Sequence, residues 1–423
     1  KELIMSKSAE TKKYMPLVGA AGIGSMLGSG IIIGLSATIT VWQSGLGLTD
    51  GQVGILSGAL TFAIAAGSLL AGNITKLFGL IRSFNMMNLM YLIGAAICVL
   101  SGNFPVLLAG LIITGFASGA DLPISLTVIS HDAPNEKVSA SLIASTQVFW
   151  QIGVLGSYAM AFIVSHVEGA AGARMVFALL AVLAGIAFVW RTFSKKFKEF
   201  HVAGDEYRAA EGTKTSTEVS FASLFKGTDG RKYISFFSCI IIFYVCWNLL
   251  ANTFGQFQTY ILVKANASQS LATGCGIVLN IVGLICGILF ASAAGSKHRN
   301  KFFYVGVVIQ AGAMIGIALG GGTIAMIVGM IACYNIGQQF AGESIYKVWT
   351  QESFPVEARA SMQGFINGFS RFCCGLFALV TPYLVAGDRI HTTMYGFAGI
   401  VLISAVAGTR MIVLQKKHGI GQM

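Results

Sequence analysis

Residues 352–363 read ESFPVEARASMQ, and residues 131–142 read HDAPNEKVSASL. Laid over each other at a constant shift of 221, they match Pro134 to Pro355 and Glu136 to Glu357. Both are short polar breaks in oily surroundings. The runs before them, 104–130 and 322–350, and after them, 141–165 and 361–386, are long enough to cross a bilayer as helices, which takes about 20 residues. Working outward, eight more such runs lie at approximately 15–43, 52–75, 84–102, 172–193, 233–262, 270–293, 302–319 and 393–414. Each polar break therefore falls between the fourth and fifth of six. A charged stretch, 194–232, parts the two sets. The chain reads as an all-α membrane protein of 12 transmembrane helices: a six-helix half at 1–193, a linker at 194–232 and a second half at 233–423. Within the linker, VSFASLF reads either as a short amphipathic helix on the membrane surface or as solvated chain.

Composition agrees. Of the residues 55% are hydrophobic and 11% charged, against about 25% charged in an ordinary soluble domain. The first apolar run is too long for the core of a cleavable signal peptide, so none is expected. The net charge of +11 reports topology. Arg174, Lys264 and Arg389 fall in loops on one side and Arg371 inside a span; the remaining Lys and Arg fall on the other side or at its helix ends. Basic residues mark the cytoplasmic side, so both termini are expected there, in a bacterial inner membrane. The partners implied are the bilayer and a small solute, not nucleic acid, for a chain expected to act as a monomer. All eight cysteines lie in spans, where the thiol packs as a small apolar group; no disulfide framework is implied.

ESFPVEAR (352–359) resembles the E-x-F-P-x-x-x-R signature of sugar porters in the major facilitator superfamily. STQVFWQIGVLGSY (145–158) resembles their fifth-span motif, with Gln147 and Gly153 six apart. GADLPISLTVIS (119–130) is similar to the G-G-D-Y-P-x-S pattern of phosphate and metabolite symporters of the same superfamily. The resemblance implies two lobes, with the first and fourth spans of each half lining a site at the midplane, and transport by alternating access. There are departures. GNITKLFGLIR (72–82) carries Lys76 where the loop after the second span normally has an aspartate. Span one has no acid, span four no base, and WNLLANT (247–253) replaces the usual seventh-span amide motif. The hexose site is not of the standard kind.

Only two of the 17 acids sit inside spans, Asp121 in the fourth and Glu343 in the tenth. A carboxylate at mid-membrane costs about 2.5–3.5 kcal/mol on insertion scales. Counting about 1.5 Å per residue from the polar breaks puts Asp121, Glu343 and Arg371 near the middle of the core. Lys347 follows Glu343 by one turn, and spans ten and eleven form a hairpin in which Glu343 and Arg371 are expected to meet. Asp121, with no base in its own helix, is the expected proton carrier; Glu343 is the second, or a fixed partner of the bases. No other cofactor is implied. Pro123 is expected to kink the fourth span.

Polar side chains in the spans form the expected substrate cage: Gln147, Trp150 and Gln151 in span five; Trp247, Asn248, Asn252 and Gln256 in seven; Gln338 and Gln339 beside Glu343 and Lys347 in ten; Asn367 and Arg371 in eleven. Membrane amides serve equally as glue between helices. A guanidinium suits a carboxylate or phosphate, so a sugar acid, a sugar and a polyol all remain open. At the polar breaks, Asp132, Glu136 and Lys137 with Glu352, Glu357 and Arg359 are expected to pair across helices as a gate. All six histidines fall in loops or tails, and no nucleophile–base set, metal cluster or phosphate loop is present, which argues against an enzyme. The expectation is proton-coupled symport of a small polar metabolite; a uniporter, or an antiporter of an organic anion or drug, is the alternative.

Overall fold

The computed structural model describes residues 13–134, 136–211, 221–226, 229–293, 298–320, 323–385 and 389–420. Among them there are helices and no strands. The first unit spans Lys1–Thr215. It contains α1 (Met15–Leu46), α2 (Asp50–Phe78), α3 (Leu80–Leu100), α4 (Phe104–Asp132), α5 (Glu136–Ile163), α6 (Ala171–Phe193) and α7 (Lys195–Glu211). The second, Ser216–Met423, contains α8 (Phe221–Lys226), α9 (Gly230–Lys264), α10 (Gln269–Ala293), α11 (Arg299–Gly320), α12 (Ile324–Phe340), α13 (Glu343–Ser353), α14 (Val356–Leu384) and α15 (Arg389–Lys417). Among the described residues, eleven spans are long and apolar enough to cross a membrane, and Val148–Ile163, within α5, is a shorter apolar helix.

Local chemistry sets the helix ends. Gly47 leaves α1 in the left-handed region, at φ 64°, where glycine is unhindered. Thr49 and Gln52 close a reciprocal capping box at the start of α2, satisfying donors that a helix start leaves open. Asn103 accepts from the Val106 N–H while Pro105 occupies the first turn of α4, where its missing N–H costs nothing.

The repeat is visible in the packing. In the first unit α1 packs on α4, α5 and α6, and α3 and α4 pack on each other and on α6 and α2 respectively. The same partnerships recur in the second: α9 packs on the α12–α13 span, α14 and α15; α11 and α12 pack together, with α15 and α10 as their respective further partners. Small residues permit the close crossings. A side chain on Gly119 would collide with the Ile64 backbone of α2, and one on Gly153 with the Met26 carbonyl of α1. The spacing of Gln147 and Gly153 thus has a packing meaning at the glycine.

Two expectations change. The linker is not one separate piece: α7 buries Phe197 and Phe200 with Ala120, Ile124 and Val128 of α4, while α8 buries Leu224 with Phe236, Phe243 and Trp349. VSFASLF therefore folds onto the second unit where it is described. The tenth span is two helices, α12 and α13, parted at Ala341 and Gly342.

Candidate functional site

GADLPIS lies in α4. Pro123 has no N–H for the carbonyl of Gly119 four residues earlier, and the hydroxyl of Ser68 on α2 donates to it instead, at 2.8 Å. Two residues before the proline, Asp121 is 3% exposed and meets Arg191 of α6, itself 2% exposed. The guanidinium donates from Nη1 to Oδ1 at 2.6 Å and from Nη2 to Oδ2 at 3.1 Å. Its other hydrogens go to the Ala20 carbonyl at 3.0 and 2.8 Å and the Phe84 carbonyl at 2.9 Å. With its amide oxygen turned inward, Asn88 accepts at 2.9 and 3.0 Å. The guanidinium lies 3.8 Å over the Phe84 ring, and Ser125 donates to Asp121 Oδ2 at 3.2 Å. Any side chain on Gly24 would collide with the carboxylate.

This corrects the expectation for Asp121. It is not an unpaired acid awaiting water but half of a sealed, fully hydrogen-bonded pair. Its depth changes too. The surrounding groups lie only a turn or so inside their own helices: Ala20 five residues after Met15, Phe84 four after Leu80, Arg191 two before Phe193, hence about 3–8 Å in. Counting from Asp132 overstated the depth because α4 outruns its neighbours.

The second concentration surrounds the break in span ten. Gly342 stands where a side chain would press on the Trp247 indole, 2.5 Å from Nε1. The Ala341 carbonyl, left over by the break, accepts from the buried amide of Gln310 on α11 at 3.0 Å. Tyr244 stacks between Trp247, at 5.5 Å and 26°, and Tyr346, at 3.8 Å and 20°. Glu343 opens α13, where the helix dipole favours a negative charge. It pairs with Lys347 at 2.9 Å, both side chains being about half exposed, at 50% and 48%. Arg371, partly buried on α14, has no ion-pair or hydrogen-bond partner among the described residues. The expected Glu343–Arg371 pair is therefore replaced by Glu343–Lys347, although Glu343 and Arg371 both act electrostatically on Tyr244.

The amides divide by role. Asn248 donates to Ser370 at 2.8 Å, tying α9 to α14. Gln256 donates to Asn252 at 2.9 Å within α9, and Gln338 to Asn335 at 2.7 Å within α12. Gln339 fits against Gly283 and Gly287 of α10. Asn367 is half buried one turn before Arg371. On α5, the Trp150 carbonyl accepts from Ser29 at 2.7 Å, and Gln151 is half buried. The side chain of Gln147 lies outside the described residues. Several members of the expected cage thus bond one another within a helix or tie helices together.

At the linker-side ends, the gate expectation also changes. Asp132 takes His131 at 2.8 Å and His201 of α7 at a short distance, and His131 reaches Asp205 at 3.1 Å. Glu352 receives both Arg299 nitrogens, at 2.7 and 3.0 Å, and the Gln415 amide at 3.1 Å. The side chains of Glu136, Lys137, Glu357 and Arg359 lie outside the described residues. Sequence reasoning missed Arg191, counted as a helix-end base, and His131 and His201, read as loop residues. It also missed Gln310, Arg299 and Gln415. Only Arg191 and Gln310, polar groups in apolar runs, left a readable trace.

Comparisons with known proteins agree with this architecture. Minor myo-inositol transporter IolF of Bacillus subtilis (strain 168) is 28% identical over 397 residues, covering 92% of this chain and 88% of that protein. A crystal structure of D-xylose-proton symporter superposes with a TM-score of 0.75 at 15% identity, covering 93% of this chain and 97% of that one. The inward-open xylose transporter XylE from E. coli gives 0.73 at 14% identity, covering 93% and 94%. Identity that low carries the fold alone. Residues 18–378 match the model of the Major Facilitator Superfamily. Six repeated helix partnerships in each unit, eleven apolar spans and a match over that length place the chain in the Major Facilitator Superfamily, as a multi-pass membrane transporter of small molecules.

Proposed function

We propose that this transporter imports a small hydroxyl-rich metabolite, a sugar, polyol or sugar acid, together with a proton, by exposing one binding site alternately to the two sides of a bacterial inner membrane. Both termini are cytoplasmic and the chain acts as a monomer in this reading. Similarity to an inositol transporter along most of both chains supports the solute class. One observation carries the coupling. Of the two carboxylates inside spans, Asp121 is sealed, whereas Glu343 is half exposed at a helix break. A carrier must be reached by water, lose its proton and regain it. The coupling role thus passes to Glu343, while the Asp121–Arg191 pair holds the first unit together.

The test is uptake into proteoliposomes under an imposed pH gradient, with myo-inositol, xylose and glucuronate as solutes. The wild type is expected to accumulate its solute. Glu343→Gln is expected to abolish accumulation and keep solute exchange; unchanged accumulation would remove Glu343 from the mechanism. Sealing of Asp121 also favours a second reading, facilitated diffusion, which predicts equilibration in the wild type without gradient-driven accumulation.

A further inference from the structure

Along the second unit a groove of about 510 Å³ runs between α9 and α15. Ile234, Ile242, Leu402, Ile403 and Val406 wall it, and each is between 45% and 69% exposed. A polar group stands among them. Arg410 lines the groove with no carboxylate partner among the described residues, and acts electrostatically on Cys239, another lining residue.

The dimensions identify the occupant. The two helices run antiparallel, so Ile234 and Arg410 share the linker-side end while Ile242 and Leu402 share the deep end. Eight residues separate the ends on either helix, about 12 Å of rise. That is close to one leaflet of a ~30 Å hydrocarbon core. The charge lies at the headgroup end only. Arg231, Lys232, Lys416 and Lys417 join Arg410 there, and no acid occurs in 230–242 or 402–417, Asp229 standing just before α9. A long apolar cleft ending in a guanidinium and a cationic rim complements an acyl chain attached to a phosphate with no compensating ammonium. A soluble anion leaves the apolar length unused, and a zwitterionic lipid leaves the cations unanswered.

We propose that the α9–α15 groove binds one anionic phospholipid, with its phosphate on Arg410 and one acyl chain between Ile242 and Leu402. The test is native mass spectrometry of the purified full chain, exposed in detergent to equimolar phosphatidylglycerol and phosphatidylcholine. The wild type is expected to retain phosphatidylglycerol preferentially. Arg410→Gln should cut that preference about fivefold, the factor corresponding to the roughly 1 kcal/mol that a basic residue contributes near an anionic headgroup. Arg410→Lys should preserve it. Val406→Trp, which fills the cleft and keeps the charge, should lower retention of both lipids. Equal retention of the two lipids by the wild type overturns the proposal, as does a preference that survives Arg410→Gln or a retained lipid that survives Val406→Trp.

Discussion

Arg191 accounts for Asp121. Five acceptors converge on one guanidinium: the carboxylate, two main-chain carbonyls, the Asn88 amide and the Ser125 hydroxyl. A buried ion pair is tolerable only when its remaining hydrogen-bonding groups are answered, and here they are. Removing one partner strands the other charge, which costs about 3–5 kcal/mol. Arg191→Met is therefore expected to lower the thermal midpoint of the purified protein markedly. Asp121→Leu combined with Arg191→Met should recover most of that loss, because both charges go together; a double variant as unstable as the single would mean the pair does more than balance itself. For solute selectivity under the proposed function, Arg371 is the residue to weigh. If it recognises a carboxylate, Arg371→Gln reduces uptake of glucuronate at least tenfold while uptake of myo-inositol changes little. The charge types of Asp121 and Arg371 were legible in the sequence. The partner of Asp121 was not, because Arg191 lies 70 residues from it and nothing in a linear pattern reports that distance closing.

Among the described residues, α4 and span ten each carry an interruption that a side chain from a neighbouring helix answers. In α4 it is Pro123 with Ser68; in span ten it is the Ala341–Gly342 break with Gln310. A buried carbonyl that loses its donor costs about 1–3 kcal/mol. Gln310→Leu should lower stability by that order, as read from denaturant or heat unfolding in detergent. For α4 a double-mutant cycle is sharper. Ser68→Ala alone is expected to destabilise, but much less in a Pro123→Ala background, where the restored N–H serves the Gly119 carbonyl. Equal costs in both backgrounds would show that Ser68 does not substitute for the missing donor. Pro123 announced its interruption in advance; the break at Gly342 did not. Its surroundings are three-dimensional, since a side chain at Gly342 would meet the Gln338 carbonyl and the Trp247 ring.

At the scale of the molecule, the second unit repeats the helix partnerships of the first, and the linker supplies a helix to each. Docking of α7 rests on Phe197, Phe200 and the His201–Asp132 contact. His201→Ala is therefore expected to expose α7, seen as faster limited proteolysis within residues 195–211; an unchanged cleavage rate would assign the docking to the phenylalanines alone. The number of spans, their division by six and the membrane class were determined by the sequence itself. Burial in lipid imposes length and apolarity on every crossing segment, and a duplicated polar break survives as a readable echo. What only the tertiary structure decided is which charges meet. Helix ends are staggered, so depth counted along one helix does not equal depth in the bundle, and a long side chain such as Arg191 crosses from its own helix end to another helix's interior. Desolvation then makes each such meeting either sealed, as at Asp121, or open, as at Glu343, and that distinction is a property of the packed neighbours rather than of the residue.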